Sequence, residues 1–261
     1  MLRSLYTAAT GMTAQETKMD VISNNLANAS TIGFKKTRAE FADLLSETLR
    51  ASQAPDPRGG SDAGPIQVGL GVRTAATTRS QAQGDLLLTN NPYDVAIQGT
   101  GYFRVQRPNG EYAYTRAGNF HVDTNNRLVT QNGEQLDANI VLPADTTALT
   151  IKTDGSVQAT VAGNPAPAEL GQIQLSVFPN PAGLESLGNN LMAASAASGP
   201  PLQVKPGDQG SGSLQQGAQE SANVKAVEEM IDMISAQRAY ELNSKVIQTA
   251  DQMLQRLTQL R

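Results

Sequence analysis

His121 is the only histidine in the chain, and cysteine is absent. A serine triad would therefore depend wholly on His121, while cysteine nucleophiles, Cys-ligated metals and disulfides are excluded. His121 falls between Phe120 and Val122 on an apparent strand, with no acid–nucleophile pattern near it, and reads as a structural or exposed residue. Gly99-Thr100-Gly101, just ahead of Tyr102 and Phe103, has two glycines of a dinucleotide fingerprint but neither the third glycine nor the following helix. It reads as a turn between strands. Asp123-Thr-Asn-Asn126 offers oxygen ligands but lacks the central glycine and the later glutamate of a calcium loop, so a hairpin turn fits better. Glu228 and Glu229 lie off the apolar stripe of an expected helix, as on a solvated face. No catalytic, cofactor-binding or metal site is expected, and the chain does not read as an enzyme.

What remains is a pattern of elements rather than of reactive groups. In the first thirty or so residues Leu5, Met12, Met19 and Leu26 recur every seventh position, with Leu2, Ala9 and Ile22 three or four away. That is a narrow apolar stripe of coiled-coil type. Asn24, Asn25 and Asn28 then accumulate, and Gly33 is a natural left-handed stop. A last helix is expected from about Ala222. Its stripe runs through Val224, Val227, Ile231, Ile234, Arg238, Leu242, Val246, Ala250, Met253, Leu257 and Leu260. Neither helix has a core of its own, so each needs either the other terminus or a second copy. The expected assembly interface is Leu2, Leu5, Met12, Glu16, Met19 and Leu26 with Val227, Ile231, Ile234, Arg238, Leu242, Val246, Met253 and Leu257. If residue 29 lies near residue 223 and the helices run antiparallel, residue 16 is level with about residue 236, within a turn of Arg238, and a Glu16–Arg238 pair would set the register within one subunit or between neighbours.

Between the helices the pattern changes. Phe41, Leu44, Leu45 and Leu49 suggest a short second helix over 36–50. A Pro/Gly-rich insert, Ala54–Pro65, leads into Ile66, Val68, Leu70 and Val72 at period two, an extended arm or hairpin. From Asp94 short alternating runs are separated by turns at Pro108-Asn-Gly110, Asp123–Asn126, Asn132-Gly133, Asp154-Gly155 and Gly163-Asn164, the spacing of a small β barrel or sandwich. The fold class is α+β. Residues 1–33 and 222–261 form a coiled-coil-like terminal-helix domain. Residues 34–85 form a connecting region, 86–198 a β-rich domain, and 199–221 a Gly/Pro/Ser-rich linker.

Bulk composition narrows the partners. Aromatics are 4% of the chain, with no tryptophan, and the formal net charge is −4. The basic residues are scattered, so nucleic acid is a poor partner. The start of the chain lacks both the apolar run of about 7–15 residues of a cleaved secretory signal and the run of about 20 of a membrane span.

Four blocks carry a family resemblance. Asn24-Asn-Leu-Ala-Asn-Ala-Ser-Thr-Ile-Gly-Phe-Lys35 resembles the N-terminal signature of bacterial flagellar rod and hook proteins. Val227-Glu-Glu-Met-Ile-Asp-Met-Ile-Ser-Ala-Gln-Arg-Ala-Tyr-Glu-Leu-Asn-Ser-Lys245, continuing to Thr249-Ala-Asp-Gln-Met-Leu254, resembles the C-terminal one. Asp94-Val-Ala-Ile-Gln-Gly-Thr-Gly-Tyr-Phe103 and Tyr114-Thr-Arg-Ala-Gly-Asn-Phe120 are similar to the family's shared β-domain motifs. The motif positions are Asn25, Asn28, Gly33, Phe34, Gly99, Gly101, Arg116, Gly118, Arg238, Tyr240 and Asn243. Ala222-Asn-Val224 departs from the family's usual Ser-Asn-Val. The length, Phe34–Leu45 and the insert resemble distal-rod members. A proximal-rod member of similar size is the alternative, with a monomeric secreted effector or adhesin on a helical stalk as the rival from another class.

The resemblance implies a helical homopolymer, a hollow rigid drive shaft through which further subunits are exported. It implies contacts with proximal rod proteins, with the hook or its junction, and with the ring bushing. It further implies type III export without a cleaved signal peptide, a place in the basal body from periplasm to outer membrane, and neither cofactor nor small-molecule substrate.

Overall fold

The computed structural model describes residues 2–50, 66–138, 140–162, 164–208 and 210–259. The insert at Ala54–Pro65 lies outside the described residues, as does Gly163 of the expected Gly163-Asn164 turn. Helix α1 spans Leu2–Ala27 and helix α2 spans Ala226–Gln259, with an antiparallel β region between them in sequence. The class is α+β.

Helix α1 stops among the asparagines rather than at Gly33. Asparagine is a weak helix former, and the chain turns here, with Thr31 N–H donating to the Asn28 carbonyl at 3.0 Å. Gly33 instead occupies a later turn, where its φ of +70° suits a residue without Cβ. Helix α2 begins four residues beyond Ala222, so the alanine there does not act as its N-cap. Glu228 and Glu229 occupy its first turn, where carboxylates favour the helix dipole.

The chain divides into two compact units. One comprises Met1–Leu26, Thr37–Thr78 and Lys225–Arg261, and the other Ala27–Lys36 with Arg79–Val224. In the first, strand Thr37–Asp43 pairs with Val72–Arg79, and Glu47–Arg50 pairs antiparallel with Ile66–Val68. The short helix expected over 36–50 is therefore corrected to strands. Burial there largely alternates residue by residue, and Leu45 and Leu49 are exposed, so no helical apolar stripe is being buried. The backbone instead finds ladder partners, with Leu44 donating to the Gly71 carbonyl at 2.9 Å.

The second unit is built of short antiparallel strands. Its largest sheet joins Tyr102–Gln106 to Tyr112–Thr115 across a turn where Gly110 has φ +84°. A separate three-stranded sheet contains Thr146–Ile151, Ser156–Val161 and Asn164–Gln172. Val95, Ile97, Phe103, Val105, Phe120, Val157, Ile173 and Leu175 fill the core, and Phe103 meets Phe120 edge-on with centroids 5.1 Å apart. Residues 199–221 do not behave as the expected linker. They hold strands Leu202–Val204, Ser213–Gln216 and Ala218–Glu220, which pair with Leu175–Val177, Val95–Gln98 and Leu86–Leu88 respectively. Leu214 and Ala218 are buried. The glycines that gave this stretch its linker composition occupy turns, including Gly207, Gly210 and Gly217 at positive φ.

Gly118 marks the tightest approach. Its carbonyl accepts the Val95 N–H at 2.9 Å, and a Cβ on residue 118 would lie 1.7 Å from the Val95 carbonyl oxygen. The obstacle is backbone in the middle of the core, which cannot swing aside. Gly118→Ala is expected to cost at least about 1–3 kcal/mol, the usual penalty of overpacking. Chemical denaturation of the variant should show a lower midpoint; an unchanged midpoint would mean the strands can part at no cost.

Candidate assembly interface

Within the first unit the helices run antiparallel, and two contacts define one register. Asn25 Nδ2 donates to Glu229 Oε2 at 3.1 Å, and a Cβ at Gly11 would lie 2.9 Å from Asn243 Nδ2. The seam this register produces is small and polar. In α2, Glu229, Ala236 and Ala250 are buried and Asn243 half-buried, each a multiple of seven residues from the next; in α1, Ala8, Ala14, Ile22 and Asn25 are buried. Asn25 does more than bridge the helices. Its Nδ2 also donates to the Thr37 carbonyl at 2.8 Å and its Oδ1 accepts the Thr37 N–H at 2.9 Å, pinning the start of the first strand. Glu229 is thus 1% exposed, which corrects its assignment to a solvated face. Glu228 does face solvent and pairs with Lys225 at 3.1 Å.

The large apolar residues of α2 point elsewhere. Val227, at 65% exposed, Ile231, Ile234, Leu242, Val246 and Met253 are all exposed, and Met230 and Tyr240 with them. On α1 the heptad residues Leu5, Met12, Met19 and Leu26 are half-buried beside the seam. The side chains of Leu2 and Leu257 lie outside the described residues. The common register sets residue 16 level with residue 238. Glu16 and Arg238 are both exposed, and among the described residues no ion pair joins them.

The second unit contains a buried ionic cluster that the sequence did not single out. Glu220 is fully buried. Its Oε1 accepts from Lys35 Nζ at 2.6 Å and from the Gly84 N–H at 2.9 Å, and its Oε2 accepts from Arg116 Nε at 2.9 Å. Arg116 Nη1 donates to the carbonyls of Gly99 at 2.8 Å and Gly101 at 2.7 Å, clamping a turn in which both glycines have positive φ. Gly33 donates to the Glu220 carbonyl at 2.8 Å. Asn223 Oδ1 accepts from Lys36 N at 2.6 Å, and Asn223 N donates to the Phe34 carbonyl at 3.3 Å. The segments that follow α1 and precede α2 in sequence are therefore tied together here. Desolvation pushes the Lys35 ammonium below the usual lysine value of 10.5; Glu220 opposes that shift and Arg116 adds to it. His121 lies exposed on a strand edge. Among family-motif positions, Asn28 accepts from Thr31 Oγ1 at 3.2 Å, and Tyr240 and Arg238 face solvent.

Nothing marked Glu220 in advance, because a single acidic residue in a polar stretch has no periodicity. Lys35 stood inside a motif but not on a stripe. Glu220→Gln strips the charge that compensates two buried cations and is expected to cost about 3–5 kcal/mol. Adding Lys35→Met should restore part of that loss, as read from thermal unfolding; no difference between single and double variants would show that the cluster is not coupled.

Comparison with known proteins agrees with this architecture. Residues 5–35 match the family described as flagella basal body rod protein, residues 96–159 the flagellar hook protein FlgE/F/G D1 domain, and residues 215–260 the flagellar basal body rod FlgEFG protein C-terminal region. The chain is 48% identical to the flagellar basal-body rod protein FlgG of Caulobacter vibrioides over 261 residues, covering all of both chains. It is 39% identical to the FlgG of Bacillus subtilis over 267 residues, again with full coverage of both. A flagellar hook protein FlgE of Borreliella burgdorferi is 41% identical over 130 residues, which is 49% of this chain and 29% of the hook protein. With full-length identity at that level and matches at both ends and the centre, this chain belongs to the flagellar basal-body rod protein family.

Proposed function

We propose that this protein is a structural subunit of the distal flagellar rod, polymerising helically with copies of itself through its terminal helices. The observation that carries this reading is the outward stripe Val227, Ile231, Ile234, Leu242, Val246 and Met253 on α2. Large apolar side chains aligned on one face of a long helix gain free energy only when something covers them. In a family of rod proteins, the neighbouring copy is the partner present along the whole length of such a stripe. Head-to-tail contacts of this kind that do not close on themselves generate a helical filament.

The filament is a hollow, rigid shaft that carries torque towards the hook and leaves an axial passage for exported subunits. It adjoins proximal rod proteins at one end, the hook or its junction at the other, and a ring bushing around it. Its place is the basal body, from periplasm to outer membrane. The role is mechanical, with no catalysis and no bound cofactor. A proximal-rod position is the runner-up within the same family.

The stripe gives the test. Ile231→Asp with Ile234→Asp places two charges on the exposed face without touching the buried seam. Polymerisation followed by light scattering and electron microscopy should fall by at least tenfold, while the helicity of the dilute chain stays within error of the parent. Normal filaments from the double variant would remove this interface from consideration.

Glu16 and Arg238 offer a second test, because they are level with each other and no ion pair joins them among the described residues. We infer that they meet across neighbouring copies and fix the stagger of assembly. Glu16→Lys should slow filament growth and Arg238→Glu added to it should restore growth; absence of rescue would end that assignment.

A further inference from the structure

The ionic cluster of the second unit is unbalanced. Lys35 and Arg116 bring two cations to one carboxylate, Glu220, and the three side chains are 1%, 4% and 0% exposed. Solvent screens charges in such a place weakly, so the surplus is not dissipated as it would be at a surface. Hydrogen bonding is incomplete in the same sense. Lys35 Nζ has three N–H groups and uses two, towards Glu220 Oε1 and the Ala82 carbonyl at 2.7 Å. Arg116 commits Nε to Glu220 and Nη1 to the carbonyls of Gly99 and Gly101. Among the described residues none accepts from Arg116 Nη2 or from the third Lys35 N–H.

Both side chains border one small recess. Thr100, Tyr102, Gln81 and Pro181 line it with them, and its volume is about 50 Å³. A water molecule needs roughly 10–15 Å³ of such space, so the recess accommodates a single small ion or one carboxylate group with little water. Among the described residues Lys35 and Arg116 are the charged groups that line it, and the carboxylate acting on Lys35 is that of Glu220.

We propose that this recess is a binding site for one small monovalent anion, either a chloride ion or the carboxylate of an acidic side chain inserted by a second copy of this chain. The anion completes the hydrogen bonding of Arg116 and Lys35 and neutralises the surplus charge. It thereby reinforces the clamp that Arg116 places on the Gly99–Gly101 turn. Burial chiefly, and Arg116 to a lesser extent, lower the Lys35 pKa, and a further anion beside the ammonium would act against both, as Glu220 does. The second-copy source rests on the polymerising role above, whereas the chloride source does not, so the two readings fail separately.

The dilute full-length chain supplies the first readout. Its melting temperature is followed in sodium chloride, sodium formate and sodium gluconate at one ionic strength, gluconate being too bulky for the recess. Chloride and formate should raise it saturably, by roughly 3–5 °C at tenfold above the dissociation constant, and gluconate should not. Crystals soaked in bromide should give an anomalous peak between Lys35 and Arg116. Lys35→Met leaves the Arg116–Glu220 pair balanced and should abolish the anion-specific rise; the comparison of salts on the parent chain stands even if that variant folds poorly. In filaments, chloride-35 line broadening that persists identifies chloride as the occupant, and broadening lost on polymerisation identifies a neighbour's carboxylate. Equal melting temperatures in all three salts would overturn the proposal. So would a halide peak with no response in solution, or a Lys35 amine that is neutral at pH 7 whatever the chloride concentration.

Discussion

The buried carboxylate of Glu220 is the constraint on which the arrangement of the second unit turns. One oxygen takes Lys35 and the Gly84 N–H, and the other takes Arg116. Lys35 lies just beyond α1 in sequence, Glu220 lies six residues ahead of α2, and Arg116 belongs to the β core. Three stretches that are distant along the chain therefore share one charged centre. Such a centre is a weak source of net stability, because removing the ions from water costs much of what their attraction returns. Its effect is on specificity, since any misplacement of one stretch leaves a charge buried without its partner. Gly33 and Asn223 add backbone and amide bonds to the same junction.

The helical unit follows a different rule. Its internal seam uses alanine, glycine and asparagine, which let the backbones approach but bury little apolar surface. Asn25 and Glu229 supply polar register in that seam, as single buried polar residues do in coiled coils. The residues with the greatest capacity for burial, Ile231, Ile234 and Leu242 among them, are left on the outside. A helix pair of this kind is weakly held by itself and gains most when its outer face is covered. For a subunit of the proposed polymer, a fold whose last increment of burial comes from its neighbours couples rigidity to assembly.

The β unit, in contrast, has an apolar core of its own. Phe103 and Phe120 anchor one apolar cluster, and Tyr102, Tyr114 and Phe178 another, with Tyr114 and Phe178 meeting edge-on at 4.8 Å. Few aromatics suffice because the strands are short and small residues allow close approach, as at Gly118 against Val95.

The sequence by itself determined the class and the ends of the fold. Two long periodic helices, turns at Gly110, Asn126, Gly133 and Gly155, and the four motif blocks were all legible, because local periodicity and left-handed turn positions are written in neighbouring residues. It also marked the apolar stripe of α2, and it placed residue 16 within a turn of Arg238 on the condition that the helices run antiparallel. Only the tertiary structure decided which face of α2 turns inward, because that depends on how closely α1 can approach, and Gly11 and Ala236 settle it in favour of the small face. Tertiary pairing likewise turned 36–50 into strands and recruited 199–221 into the sheets, since a ladder partner far away in sequence outweighs a weak local preference. The Lys35–Glu220–Arg116 cluster was not legible as a cluster for the same reason: Lys35 and Arg116 stood in separate motif blocks, nothing marked Glu220, and the energy exists only when long-range contacts remove all three from water.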